Sequence, residues 1–156
     1  MKYSFLVILT VLFTSCSIDD PEQQPTEPID YTIQNDNEIK AYIEENDLTA
    51  IKTESGLYYV IEEQGTGKQP TANSNVTVAY KGFYSNKKVF DQSSESGVSF
   101  SLQNVIRGWK EGIPLFKEGG SGILLVPSHL GYGSFNYRGI PGGSVLIFNV
   151  KLISVN

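Results

Sequence analysis

The 156-residue sequence is poor in the side chains on which metal centres and most nucleophilic enzymes depend, with a single cysteine and a single histidine. One cysteine excludes an intramolecular disulfide. His129 has no cysteine near it in sequence and no second histidine with which to share a metal, so a zinc site is not expected. Among the acidic residues only Asp91 stands out as a buried candidate, because it directly follows Phe90 in an apolar stretch, and a glycosidase would need a second. The sequence therefore predicts neither a metal nor a cofactor.

Positive charge is also scarce where a nucleic acid could use it. The formal net charge is -5, and five acidic residues with no basic residue among them stand near the N-terminus: Asp19, Asp20, Glu22, Glu27 and Asp30. Residues 55–156 carry nine Lys and Arg against six Asp and Glu, a balance of +3 that is too weak and too scattered for a nucleic-acid surface. The composition, 40% hydrophobic and 19% charged, is typical of one soluble globular domain.

The N-terminal apolar run is too short to span a bilayer in the mature protein. Lys2, the apolar stretch 5–13 and the small residues before Cys16 predict a signal peptide over residues 1–15. Leu-Phe-Thr-Ser-Cys, which ends at Cys16, resembles a bacterial lipobox, although the strictest form of that motif has leucine in place of Phe13. The resemblance implies that Cys16 is acylated and becomes the mature N-terminus. The alternative is a free thiol behind an ordinary signal peptide.

Residues 16–34 comprise this cysteine and a predicted disordered tether. Three prolines exclude regular structure there, and the like charges repel one another into an extended chain. The pair Asp19-Asp20 is similar to the surface-export signal of some Gram-negative lipoproteins, but two acids in a solvated linker are also common without that function. Together these features predict an exported, membrane-anchored lipoprotein of a Gram-negative-type bacterium, on the periplasmic or the surface face of the outer membrane.

Apolar periodicity predicts one helix followed by an antiparallel sheet. The helix is expected over 36–46, with Asn35 or Asp36 as its cap. Ile39, Tyr42 and Ile43 would share its apolar face. The expected strands are 57–63, 75–84, one beginning at Val89, one near Phe100, 122–126 and 145–155. The chain would thus divide into an N-terminal helix and connector, 35–54, and a main domain, 55–156.

The only tryptophan, Trp109, stands in a short helical pattern over 105–112. Val105 and Ile106 precede it by four and three residues and share its face, and Gln103-Asn104 offers polar caps. A helix of about two turns is stable only when its apolar face is pressed against a sheet. The expected fold is therefore α+β, a twisted antiparallel β-sheet wrapped around one short α-helix. Trp109 is then either plain core or the flat floor of a site for an apolar ligand.

Six segments, in order and at matching separations, resemble the FKBP-type peptidyl-prolyl cis-trans isomerases. They are VAYKG (78–82), VFDQS (89–93), FSL (100–102), VIRGW (105–109), VPSHLGYG (126–133), and IP (140–141) with LIFNV (146–150). The resemblance covers about residues 55–155 and implies an FKBP-like fold. The catalytic residues that it implies are Asp91, Trp109, Tyr132 and Phe148. The substrate-binding residues that it implies are Tyr80, Phe90, Phe100, Val105, Ile106 and Ile140.

The resemblance also implies roles within this pocket. Trp109 would be the floor on which a proline ring packs, while the N–H of Ile106 and the hydroxyl of Tyr132 would donate hydrogen bonds to ligand carbonyls. Two departures stand out: Val98 occupies a position where an aromatic wall is common, and Gly142-Gly143 follows where a second proline is common. They imply a shallower pocket with a looser rim.

The implied function is a prolyl isomerase that assists the folding of exported proteins by desolvating and twisting the X-Pro amide in an apolar pocket. Its partners would be proline-containing polypeptides and macrolides of the tacrolimus and rapamycin type. One alternative is a membrane-anchored FKBP-fold binding or chaperone module with little catalysis, and another is a purely structural surface lipoprotein. The sequence carries no sign of a dimerisation domain, so a monomer is expected.

We expect Cys16→Ala to release the protein into the soluble fraction, because attachment would depend on acyl chains on this residue alone. Fractionation of cells that express each form, followed by washing of the membranes, measures this. A mutant that persists in washed membranes would show that another segment holds the protein.

Overall fold

The computed structural model of the protein describes residues 27–156. The predicted signal peptide, Cys16 and most of the predicted tether lie outside this range. The described residues form two α-helices, α1 (Thr32–Glu45) and α2 (Arg107–Gly112), and the strands β1 (Ile51–Lys52), β2 (Tyr58–Glu63), β3 (Asn75–Phe83), β4 (Val89–Gln92), β5 (Val98–Ser101), β6 (Ser121–Val126) and β7 (Leu146–Val155). Neither α-helix of this region is long and apolar enough to cross a membrane.

The strands form one antiparallel sheet in the order β1-β2-β6-β7-β3-β4, with β5 paired to β3. The central strand β7 lies between β6 and β3 and buries Leu146, Phe148, Val150 and Leu152 on one face, as its alternation predicts. Strand β3 pairs along its first half with β5 and along its second half with β4. The α+β fold class predicted from the sequence is confirmed.

Helix α2 packs against β6 at very short range. A Cβ atom on Gly108 would lie 2.5 Å from Val126 Cγ1, and one on Gly112 would lie 2.7 Å from Leu124 Cδ2. Any side chain at these positions would push the helix off the sheet. The two glycines therefore let Trp109, which lies between them in sequence, enter the main hydrophobic core.

The start of α2 differs from the sequence-based prediction. The helix begins at Arg107 rather than Val105, and Ile106 is its N-cap without a side-chain hydrogen bond. The expected cap Gln103-Asn104 is wrong, because these residues belong to a 3-10 turn, Leu102–Asn104. Ser101 caps that turn, since its hydroxyl accepts a hydrogen bond from the Gln103 N–H at 3.3 Å. Gln103 and Asn104 lie in this turn. Val105 and Ile106 follow it with an extended backbone, directly before the helix.

Helix α1 covers the opposite face of the sheet. Ile39 and Tyr42 are buried there in a second apolar cluster, with Tyr58, Phe83, Leu125, Val145 and Ile147. Hydrogen bonds from Lys40 and Lys52 hold the pKa of Asp36 well below its usual range, and the Tyr58 hydroxyl also donates to this carboxylate, at 2.8 Å. Packing and polar contacts together fix α1 against β1 and β2.

The N-terminus of α1 also differs from the prediction. The helix begins at Thr32 and follows Tyr31, which provides no side-chain cap, so the prediction of Asn35 or Asp36 as the cap is wrong. Asn35 is fully buried inside the helix and Asp36 pairs with two lysines. Both side chains look like caps in sequence, but tertiary contacts use them instead.

We expect a fragment of residues 55–156 to fold cooperatively but to melt about 10 °C below residues 27–156. The fragment retains the whole Trp109 core, yet it loses the helix that covers the second apolar cluster. Thermal unfolding followed by circular dichroism measures this, with Ile33→Ala as a control, because Ile33 is 79% exposed on the same helix. Equal melting temperatures would contradict the supporting role of α1, and a non-cooperative fragment would contradict the domain boundary.

Candidate active site

A pocket with a volume of about 420 Å³ opens between the concave face of the sheet, α2 and the loop before β7. It is lined by Tyr80, Phe90, Asp91, Phe100, Asn104, Val105, Ile106, Trp109, Tyr132, Tyr137, Arg138, Ile140 and Phe148. All ten pocket residues predicted from the sequence lie in this lining. Cys16, the predicted lipidation site, lies outside the described residues.

The pairing of β3 with both β4 and β7 forms one side of the pocket. Gly82 of β3 stands opposite Asp91 of β4 and Phe148 of β7 in the sheet register. A Cβ atom at Gly82 would lie 2.7 Å from Phe90 Cζ and 3.0 Å from Phe148 Cε1. The missing side chain leaves room for these two rings to meet edge to face, with centroids 5.6 Å apart.

Trp109 lies at the floor of the pocket lining and is also part of the main hydrophobic core. Its side chain is 5% exposed. The rings of Tyr80 and Phe148 meet it edge to face, at centroid distances of 5.0 and 5.2 Å, and Phe100 packs against it at 5.4 Å. The buried indole N–H has no hydrogen-bond acceptor among residues 27–156. The floor is thus aromatic and almost fully buried.

The polar groups of the pocket include Asp91 and the hydroxyls of Tyr80 and Tyr132. The Tyr80 hydroxyl donates to Asp91 Oδ2 at 2.7 Å. Burial and this hydrogen bond raise the pKa of Tyr80 to about 12, and burial raises the pKa of Tyr132 above its ordinary value. Both phenols are therefore protonated donors at physiological pH. The interpretation of Asp91 as a buried carboxylate is wrong, because the strand that carries it lies at the edge of the sheet and leaves its side chain exposed.

The loop before β7 forms the outer wall. Tyr132 stacks on Tyr137 with centroids 4.9 Å apart and an interplanar angle of 12°, and the Arg138 guanidinium lies 5.4 Å from the Tyr137 ring centre. Tyr137 and Ile140 exchange two backbone hydrogen bonds of 2.9 Å. Sequence reasoning missed Tyr137, Arg138 and Asn104. The first two form an aromatic and basic pair between two quoted motifs, a signal that could have marked them.

The two departures noted in the sequence, Val98 and Gly142-Gly143, have different surroundings in the structure. Val98 is 46% exposed on β5 and does not line the pocket. Gly142 permits a close backbone approach at the rim, because a Cβ on Gly142 would lie 2.1 Å from Ser134 O. At Gly143, where φ is +77°, a Cβ would lie 2.6 Å from the Tyr31 ring.

The pocket contains no arrangement for covalent or metal chemistry within the described part of the chain. No three His, Cys, Asp or Glu side chains among residues 27–156 are grouped so that they could hold a metal ion. The lone histidine lies away from the pocket, where His129 Nε2 is 2.8 Å from the Ser55 carbonyl oxygen. The arrangement can bind a small apolar ring on an aromatic floor and orient polar groups around it.

Comparison with known proteins agrees with this geometry. The family model of FKBP-type peptidyl-prolyl cis-trans isomerases matches residues 66–153. The FKBP-type peptidyl-prolyl cis-trans isomerase FkpA of Escherichia coli K12 is 43% identical over 108 residues, which cover 67% of this chain and 40% of the relative. The protein of the same name from Buchnera aphidicola subsp. Schizaphis graminum is 42% identical over 107 residues, which cover 67% of this chain and 42% of the relative. This chain spans less than half the length of these curated relatives.

Two solved structures resemble most of this fold. The crystal structure of FkpA from Escherichia coli has a TM-score of 0.71 and 36% identity, covering 80% of this chain and 61% of that one. The crystal structure of a peptidyl-prolyl cis-trans isomerase from Pseudomonas syringae has a TM-score of 0.69 and 27% identity, covering 85% of this chain and 99% of that one.

Proposed function

Because the chain belongs to the family of FKBP-type peptidyl-prolyl cis-trans isomerases, we propose that it isomerises X-Pro bonds in exported polypeptides. The observation that carries the proposal is the pocket itself, in which Tyr80, Phe100 and Phe148 pack around the Trp109 floor. A pocket of this size and character suits a proline ring. A protease-coupled assay with a proline-containing peptide tests it, and an inactive, folded protein would contradict it.

The chemistry of the amide explains why such a pocket suffices. Rotation about the X-Pro bond is slow because the planar amide is resonance-stabilised, with a barrier of about 18–20 kcal/mol. The twisted transition state has lost that resonance and is less dipolar than the planar ground state. An apolar pocket therefore favours the twisted form relative to the planar one, which lowers the barrier without a nucleophile or a proton transfer.

The polar groups have orienting roles in this proposal. The backbone N–H of Ile106 and the Tyr132 hydroxyl donate to carbonyls of the substrate on either side of the pocket. Asp91 accepts the hydrogen bond from Tyr80 and so fixes this ring against Trp109. Both phenols are protonated throughout the physiological range, as a tyrosine of ordinary pKa would be, so each hydroxyl can donate.

A second candidate is a polypeptide-binding module with little catalysis. Tyr132, Phe135 and Tyr137 are 38%, 37% and 44% exposed in the loop that forms the outer wall of the pocket. Such aromatic surface suits unfolded chains. The isomerisation assay separates the two candidates, because a module of this kind would bind the peptide without accelerating its isomerisation.

We also propose that the protein works as a monomer at the outer membrane of a Gram-negative-type bacterium, anchored through acylated Cys16. The proposed anchoring rests on the sequence of the N-terminal segment, and the proposed monomer rests on the sequence carrying no sign of a dimerisation domain. Export would bring the pocket to proteins that fold after translocation, where slow X-Pro isomerisation limits folding.

We expect macrolides of the tacrolimus and rapamycin type to bind the pocket and to alter the fluorescence of Trp109. This is the only tryptophan of the chain, so the signal reports the floor directly. A fluorescence titration measures the affinity, with Val98→Ala as a control outside the pocket. No change at high micromolar ligand would contradict the proposed binding mode.

Substitutions should separate apolar from polar contributions. We expect Tyr132→Phe to lower kcat/KM by about 3- to 10-fold, ~0.7–1.4 kcal/mol, the size of one net hydrogen bond. Asp91→Val should cost somewhat more, since Tyr80 also loses its partner. Phe148→Ala should approach inactivity, because it opens the pocket wall to water and removes about 3–5 kcal/mol of stability.

Circular dichroism must accompany each of these assays, to separate an empty site from an unfolded one. Val98→Ala again serves as the control. We expect a larger loss of activity in Phe148→Ala than in Tyr132→Phe. The opposite result, a folded and active Phe148→Ala beside an inactive Tyr132→Phe, would show that a specific hydrogen bond carries catalysis.

A further inference from the structure

Asn35 of α1 joins both ends of the loop that forms the outer wall of the pocket. Its side-chain Nδ2 donates to the Gly143 carbonyl oxygen at 2.8 Å. Its Oδ1 accepts from the backbone N–H of Ser128, also at 2.8 Å. The residue is fully buried, and these partners lie 108 and 93 positions away in sequence.

The segment from Ser128 to Gly143, here called the pocket loop, carries four residues of the pocket lining: Tyr132, Tyr137, Arg138 and Ile140. Its two ends are already close together. Gly133 N–H donates to the Ser128 carbonyl oxygen at 2.8 Å, and Gly143 N–H donates to the Gly133 carbonyl oxygen at 2.9 Å. The Asn35 side chain binds the two backbone groups that these bonds leave over, the N–H of Ser128 and the carbonyl oxygen of Gly143. It therefore completes the base of the loop.

Helix α1 is held in place without the help of Asn35. Ile39 and Tyr42 pack in the second apolar cluster, and Asp36 binds Lys52 and the Tyr58 hydroxyl. Glu38 accepts a hydrogen bond from Ser85 in the turn between β3 and β4. The helix therefore offers Asn35 a fixed position from which its amide can hold a loop.

Both polar atoms of the Asn35 side chain are hydrogen-bonded in this contact. A buried amide costs free energy unless both of its groups are paired, and here they are. Replacing Asn35 with an apolar residue would leave the Ser128 N–H and the Gly143 carbonyl unpaired next to a buried side chain. The loop would have to shift to find new partners, and Tyr132 and Ile140 would shift with it.

We propose that Asn35 is a positioning residue for the isomerase site, through which the N-terminal helix sets the outer wall of the pocket. Residue 35 precedes the region matched by the family model, which begins at residue 66. A segment outside that region is thus part of the support of the site. The inference rests on the proposed isomerase function for its kinetic consequence, and on the two hydrogen bonds for its structural one.

The test compares Asn35→Leu with Ile39→Ala and the unchanged full chain in detergent. Asn35→Leu removes both loop hydrogen bonds at similar volume, whereas Ile39→Ala weakens the packing of the same helix and leaves both hydrogen bonds of Asn35 in place. For Asn35→Leu we expect KM for a proline peptide to rise about fivefold with kcat within about twofold, the loss of roughly one net hydrogen bond in binding. Ile39→Ala should leave both constants unchanged well below its melting temperature.

Amide hydrogen exchange provides a readout that does not depend on activity. We expect exchange within the pocket loop to become about tenfold faster in Asn35→Leu and to stay unchanged in Ile39→Ala. If Asn35→Leu does not fold, Asn35→Ser takes its place, since a serine side chain is too short to reach both partners, and the same results are expected.

Two outcomes would overturn the proposed role of Asn35, and a third would overturn the proposed isomerase function. Unchanged kinetics and exchange in the Asn35 variant would overturn the proposal. Parallel changes in both variants that follow their melting temperatures would also overturn it, since they would show a general effect of stability. If the unchanged chain does not isomerise the peptide, the proposed function fails, and the exchange measurement alone decides whether Asn35 positions the loop.

Discussion

The close contact between α2 and β6 determines the depth of the site. Gly108 and Gly112 bring the helix against Val126 and Leu124 at distances that no side chain would allow, and only this approach sets the indole of Trp109 below the aromatic rings of the sheet. A helix one methyl group further away would separate the floor from its walls. The core and the pocket therefore depend on the same close approach of α2 to β6, which is typical of the dense packing of protein interiors.

Because the pocket walls are also part of the core, a site without a nucleophile can still be specific. Tyr80, Phe100 and Phe148 all touch Trp109, so their orientations are fixed by the folded core before any ligand arrives. Preorganised apolar surface needs no rearrangement on binding. Asp91, at the exposed sheet edge, adds one oriented hydrogen bond rather than a buried charge, whose desolvation would be costly.

Much of the fold and of the site could be predicted, because both follow from local patterns. The alternation of β7 determines its buried face, and the order of six short motifs brings together ten of the pocket residues. The failures have tertiary causes. Asn35 and Gln103-Asn104 have the composition of helix caps, but long-range bonds or a 3-10 turn use them. Tyr137 and Arg138 join the pocket through the folding of one loop, which periodicity does not encode.

The contact of Tyr31 with Gly143 has a consequence for where the protein can act. Tyr31 lies beside the base of the pocket loop, directly before α1, so the preceding chain joins the domain next to the loop that forms the outer wall of the pocket. The 15 residues from Cys16 to Asp30 would span at most about 54 Å if fully extended. With Cys16 in a bilayer, the pocket would sample only a thin layer of solvent above the lipid headgroups. Chains emerging at that surface would meet the pocket at a local concentration that a freely diffusing isomerase could not match.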